Sequence, residues 1–131
     1  MRSEYSLSTP KAGFYNITPQ VREAIANSEV TSGIAVVFCL HTTASIIINE
    51  SADPDVRHDL MLALDNAFPD LPAFRHAEGN SPAHIKASVL GTSITLIVEN
   101  NKPLLGTWQC IYFCELDPPR SRKFFVKVVG E

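Results

Sequence analysis

The sequence predicts an α+β fold, a single domain built on a mixed, mostly antiparallel β-sheet with two main helices and one short helix. Two observations carry that reading. The segments run strand, helix, strand, strand, helix, short helix, strand, strand, strand, which lacks the strict alternation of a doubly wound parallel sheet. The run from Gly33 to Ile48 is nearly all apolar and β-branched, as in buried strand. Sixteen residues at about 3.3 Å each would span roughly 50 Å, whereas a globule of this length has a radius of gyration of about 14 Å. The run therefore bends, and the polar residues His41, Thr42 and Thr43 mark the place.

Taken in order, Ser3 to Ser8 alternates weakly and reads as an edge strand, followed by a loop through Pro10 and Gly13. Thr18-Pro19 opens a helix with Thr18 as cap and Pro19 at the first helical position. Val21, Ala24 and Ile25 then recur at helical spacing. After the bent strand pair, Asp53-Pro54 repeats the cap signal, and Val56, Leu60, Ala63, Leu64 and Ala67 form a stripe that ends at Pro69. His58 falls opposite that stripe and reads as solvated. Pro69 to Pro82 is a polar loop, Ala83 to Leu90 a short helix closed by Gly91. Thr92 to Val98, Thr107 to Glu115 and Arg122 to Val129 are strands, with a turn at Glu99-Asn100-Asn101-Lys102.

Length and composition fit one domain over residues 1–131, at 45% hydrophobic content. A net charge of -3 and scattered basic residues argue against a nucleic-acid surface. No window reads as a membrane span and the start has no apolar leader, so a cytoplasmic location is expected. The cysteines Cys39, Cys110 and Cys114 are an odd count without zinc-ribbon spacing and read as buried thiols. Cys110 and Cys114, four residues apart on one strand face, would stand about 13 Å from each other, too far for a disulfide.

The chemistry-bearing residues gather at the breaks in the fold. The bend exposes His41 with the hydroxyls of Thr42 and Thr43 at a strand end, where sites are commonly built. His76 lies in the polar loop and His84 at the start of the short helix. Three imidazoles could share a metal and leave a position open for water or a substrate oxygen, although each could equally hydrogen-bond locally. Asn80 to His84 could turn backbone N–H groups toward an anion, with Lys86 and Ser88 adding donors and Arg120 and Arg122 reaching from the far end. A solvated loop and a charged strand edge are the alternatives. Glu50, Glu78 and Glu115 are candidate proton-transfer groups. Gln109 shares a face with Glu115 among apolar neighbours, where an amide and a carboxylate need partners.

The string from His41 to Val56, the block Ala83-His-Ile-Lys-Ala-Ser with Gly91, and the blocks Leu105-Gly-Thr-Trp-Gln and Phe113-Cys-Glu closely resemble the YjbQ family, also called secondary thiamine-phosphate synthase enzymes. The likeness runs from about Thr18 to Gly130. It implies a compact homotrimer and a metal-capable histidine pocket in which His41, His76 and His84 match the family's histidines. It also implies joining of a pyrimidine diphosphate to a thiazole phosphate with release of pyrophosphate. Histidine ligands favour zinc among divalent cofactors, and the partner expected is a small phosphorylated metabolite. A metal-dependent hydrolase using Glu50, Glu78 or Glu115 as base, or a non-enzymic binding module, would use the same pocket. Cys110, Asn101, Pro118-Pro119 and Glu78 depart from the family's usual residues.

Overall fold

The structure, a computed structural model, describes residues 2–131. In chain order its elements are β1 (Arg2–Thr9), β2 (Gly13–Asn16), α1 (Thr18–Ser28), β3 (Ser32–Cys39), β4 (Ala44–Glu50), α2 (Pro54–Ala67), α3 (Ser81–Leu90), β5 (Ser93–Glu99), β6 (Lys102–Pro103), β7 (Gln109–Glu115) and β8 (Arg120–Gly130). They form an α+β fold with two antiparallel sheets, one ordered β1-β8-β3-β5-β6 and the other β2-β7-β4. No helix among the described residues is long and apolar enough to cross a membrane.

The long apolar run divides as chain length demands. Its first half, β3, lies inside the five-stranded sheet between β8 and β5, and its second half, β4, pairs with β7 in the other sheet. Residues 40–43 make the crossing between sheets. Gly33 permits the close approach of β3 to β8, because a Cβ there would collide with the Val129 carbonyl oxygen. One hydrophobic cluster joins both sheets and α1, drawing Val21 and Ile25 from the helix, Val37, Phe124 and Val126 from the larger sheet, and Ile46, Ile111 and Phe113 from the smaller.

Several local expectations are revised. Thr18 does not cap α1. Ile17 occupies the cap position, and the Thr18 hydroxyl instead accepts the Ile111 N–H at 2.8 Å, tying the helix start to β7. Asp53 caps α2 as its sequence implies, accepting from the Asp55 N–H at 2.9 Å. The inward face of α2, however, is Val56, Leu60 and Leu64 with Arg57 and Met61; Ala63 and Ala67 point to solvent and no residue of α2 is fully buried. The short helix α3 begins earlier, at Ser81. Two short strands, β2 and β6, lie where the sequence reads as loop or turn; four and two residues long, they are too short for alternation to register. In the turn between β5 and β6, Asn100 and Asn101 adopt φ of 52° and 59°. The Asn101 amide also donates to the carbonyls of Ile25 and Val30 at 2.9 and 2.7 Å. Glycine could supply the turn but not those bonds.

A buried ion pair crosses between the sheets. Arg122 of β8 donates through Nε and Nη2 to both carboxylate oxygens of Glu115 of β7, at 2.7 and 2.5 Å. The residues are 5% and 0% exposed. Thr9 of β1 donates to Glu115 at 2.6 Å, the Asp117 N–H donates to it at 2.8 Å, and Arg122 donates to Thr43 Oγ1 at 2.9 Å. Burial pushes the Glu115 carboxyl up, but the hydrogen bonds from Arg122, Thr9 and Asp117 outweigh it and hold the group below its usual value.

Arg122→Met strands a buried carboxylate and is expected to cost about 3–5 kcal/mol in urea unfolding at pH 7. Because the folded pKa of Glu115 lies below the unfolded one, its contribution is present above the unfolded value of about 4.3 and is lost as pH falls through the folded value. The stability gap between wild type and Glu115→Gln should therefore narrow on acidification below pH 4, as read from urea midpoints across that range.

Candidate functional site

The bend, the polar loop, the start of α3 and the turn after β7 meet at a cleft of about 390 Å³ lined by His41, Thr42, His76, Glu78, His84 and Arg120, with Asn80, Thr43 and Arg122 also on its wall. His41 is placed by the crossing between sheets. Its Nε2 accepts the backbone N–H of Lys123 at 2.9 Å, and its ring meets the edge of Phe113 with centroids 6.5 Å apart. A backbone N–H can only donate, so the neutral ring carries its proton on Nδ1. Burial and the nearby Arg122 guanidinium lower the His41 pKa, which favours that neutral form at pH 7.

His76 and His84 approach from the opposite wall, their rings nearly perpendicular with centroids 5.3 Å apart. Glu78 Oε2 stands 4.0 Å from His76 Nε2. Asp117 holds two of the lining residues, Asn80 and Arg120. Its Oδ2 accepts from Asn80 Nδ2 at 2.8 Å and from Arg120 Nη2 at 2.8 Å, and its carbonyl accepts Arg120 Nε at 3.0 Å. Burial raises the Asp117 pKa, and the Asn80 and Arg120 hydrogen bonds more than reverse this, leaving it ionised. Asp117 thus aims Arg120 and Asn80. Sequence reasoning missed it, and the signal was its place two residues beyond Glu115 in a proline turn at the end of an apolar strand.

Other predicted site residues are engaged by neighbours or stand away from the cleft. Glu115 lies under the cleft but is locked by Arg122, Thr9 and Asp117, so it is no free base. Thr43 is buried with its hydroxyl spent on Arg122. Lys86 is 8% exposed and pairs with Asp65 of α2, away from the cleft. Glu50 and Gln109 face each other across β4 and β7 at the far end of the smaller sheet, where the Gln109 amide oxygen accepts the Gly106 N–H at 2.8 Å. Ser88 borders an adjoining hollow with His41 and His84, and its hydroxyl donates to the His84 carbonyl. His58 is 71% exposed beside Asp59, as its position opposite the stripe implied. The three cysteines are buried and free. Burial raises the Cys39 pKa and pushes the Cys114 thiol up to about 12, so neither is a ready nucleophile.

The zinc expectation meets a specific obstacle. A ligating imidazole needs a free ring lone pair, and His41 uses its acceptor nitrogen on Lys123 while the other carries a proton. Among the described residues no three His, Cys, Asp or Glu side chains converge closely enough to hold an ion. The residues do not fit a metal in this arrangement. What they do offer is donors. His41 presents an Nδ1–H, His76 and His84 each carry at least one N–H in any tautomer, and Thr42 and the remaining N–H groups of Arg120 add to them. The charges of Glu115 and Asp117 are spent on Arg122 and Arg120.

Comparison with known proteins places these residues in context. The family described as UPF0047 protein YjbQ-like matches residues 3–131. A UPF0047 protein of Methanocaldococcus jannaschii is 49% identical, covering 100% of this chain and 96% of its own, and the UPF0047 protein YugU of Bacillus subtilis is 45% identical over 94% of each. The crystal structure of a YjbQ/UPF0047 family protein from Clostridium acetobutylicum is 55% identical, covers 97% of this chain and 99% of that one, and superposes with a TM-score of 0.94. A protein from Sulfolobus solfataricus, described as YbjQ-like and of unknown function, is 30% identical, covers 100% and 97%, and superposes at 0.95. These findings correct the expectation of thiamine-phosphate synthesis and its metal-dependent alternatives. The curated relatives are named only as UPF0047 proteins, with no activity attached, and the histidines that were to hold the metal are not grouped to do so. What the comparisons establish is lineage: the chain belongs to the UPF0047 YjbQ-like family.

Proposed function

We propose that the cleft binds a small phosphorylated metabolite and that the chain is an enzyme acting on it by proton transfer. The observation that carries this reading is the convergence of His41, Thr42, His76, His84 and Arg120 as donors on one cleft of about 390 Å³, with Glu78 the one carboxylate of its wall not consumed by an arginine. A dianionic phosphoryl group satisfies many donors at once, and a neutral donor set with a single oriented guanidinium binds it without needing a strongly basic protein. Glu78, whose carboxylate stands 4.0 Å from His76 Nε2, is the group of the wall that could take up or return a proton beside that imidazole. His84, in edge contact with His76, is its partner. His41 acts as a fixed donor to a phosphoryl oxygen. Lys123 holds its ring, so it turns little.

We also propose that copies associate as the homotrimer the resemblance implies. The supporting observation is a row of neighbours across β5, β3 and β8 on the outward face of the larger sheet, Ile97, Ile34 and Val129, which are 55%, 44% and 47% exposed. Phe38, 42% exposed, extends the row into a patch, and contiguous exposed apolar patches mark association surfaces.

Two measurements test these readings. In calorimetry, inorganic phosphate should bind the wild type and bind Arg120→Ala at least about tenfold more weakly, the effect of losing one charge-assisted bond, while Gln109→Ala at the far end binds as wild type. Equal affinity in all three would sink the anion site. By light scattering after gel filtration the wild type should run at three times the chain mass and Ile34→Glu at one; a monomeric wild type would refute the association.

A further inference from the structure

The two walls of the cleft are held very differently. His41 is fixed by the Lys123 N–H at 2.9 Å, and Asn80 and Arg120 are each fixed by Asp117 at 2.8 Å. The opposing His76 and Glu78 belong to residues 69–79, which lie between α2 and α3. Among the described residues, none of these hydrogen-bonds to the rest of the chain. Their backbone bonds, from the Phe74 N–H to the Leu71 carbonyl at 3.1 Å and from the Gly79 N–H to the His76 carbonyl at 3.2 Å, are internal. Phe74 is partly buried and every other residue of the segment is exposed. The His76 and Glu78 side chains, 45% and 72% exposed, stand 4.0 Å apart, beyond hydrogen-bond reach.

Both ends of the segment are pinned. At the α2 end Asp65 is paired with the buried Lys86 of α3, and at the α3 end Asn80 is held by Asp117. Beside that second pin Gly79 adopts φ of 75°, a conformation that glycine reaches at no steric cost. A hollow of about 310 Å³ is lined by Phe74, Arg75 and His76 of the segment and by Ser81, His84 and Ile85 of α3, so the segment stands off the helix with room to settle. We infer that residues 69–79 are a strap that closes on the cleft when an anion is bound, bringing the His76 imidazole onto it, and that the structure shows the open position. The inference rests on the anion reading of the cleft and adds a moving part to it. A segment with few buried contacts and no hydrogen bonds to the body opens at small cost in free energy, and loops of this kind close over bound groups to exclude water. Settling also covers the partly buried Phe74 and Ile85. Lys86, whose charge lies away from the cleft, is the anchor of the strap's first hinge.

The test is limited trypsin digestion of the full chain with and without inorganic phosphate, with phosphate binding measured in parallel by calorimetry. Arg75 is the single Lys or Arg of the strap. In the free protein it should be cut well before Arg122 and Lys127 of β8, sites that open only with the fold. With phosphate at ten times its Kd, cutting at Arg75 should slow about tenfold, because the open population falls in that proportion. In Arg120→Ala at the same phosphate concentration, protection should shrink to about twofold, in line with its weaker binding. Arg75 cut no sooner than the β8 sites would show a strap fixed in place. Undiminished cutting at saturating phosphate, or full protection retained in Arg120→Ala, would show that the cleft does not draw the strap in. Each of these overturns the inference, while calorimetry reports separately whether the anion site stands. Rapid cutting at Arg75 in a protein that phosphate does not bind would overturn the anion reading, and the closure with it.

Discussion

The Arg122–Glu115 pair is the interaction on which the rest of the molecule depends. It joins the two sheets at the level where the chain crosses from one to the other, with Thr9 and Thr43 completing its hydrogen bonds. A buried ion pair is weak evidence for stability, because the attraction must offset two desolvations. Its worth here is geometric. By holding β7 and β8 together it fixes the turn between them, and that turn carries Asp117 and Arg120. By binding Thr43 it fixes the bend, and that bend carries His41 and Thr42. The polar wall of the cleft is set by one buried ion pair, whose arginine reaches that wall.

The same economy of position governs charge. Both arginines on the cleft wall have a carboxylate partner, Arg122 with Glu115 and Arg120 with Asp117. On the proposed reading the site draws an anion less by net field than by oriented N–H and O–H groups, and a chain of net charge -3 can carry it. His41 follows that pattern. Fixed through Nε2 by a backbone donor and kept neutral by burial and Arg122, it is a donor rather than a ligand or a base.

Much of this was legible in the sequence. The length of the apolar run required a bend, composition located it at His41 to Thr43, and the polar loop with its histidine pointed to the opposite wall. His76 and His84 do meet, and His41 faces the same cleft. What stayed hidden was hydrogen-bond competition. Lys86 and Glu115 read as functional charges, yet Asp65 and Arg122 claim them, and nothing in spacing announces a partner 21 residues away in the chain for Lys86. Thr18 looked like a cap because Thr-Pro commonly is one; the tertiary demand of the Ile111 N–H took its hydroxyl instead. Asp117 was overlooked because a carboxylate in a proline turn looks solvated. The metal reading failed for a related reason: three histidines on one cleft are a coordination site only if their lone pairs converge, and a backbone N–H 82 residues away had already taken one.

The central claim is that one cleft, walled by His41 and by the Arg120 that Asp117 holds, receives the phosphoryl group. The most direct measurement is a titration of isotopically labelled protein with inorganic phosphate, followed by amide nuclear magnetic resonance shifts. The account predicts saturable shifts at Thr42, Asn80, Arg120 and Lys123, the last reporting on His41 through its hydrogen bond, with the Trp108 and Gln109 signals unmoved. Shifts confined to the far end of the smaller sheet, or none at phosphate concentrations well above the millimolar range, would contradict it.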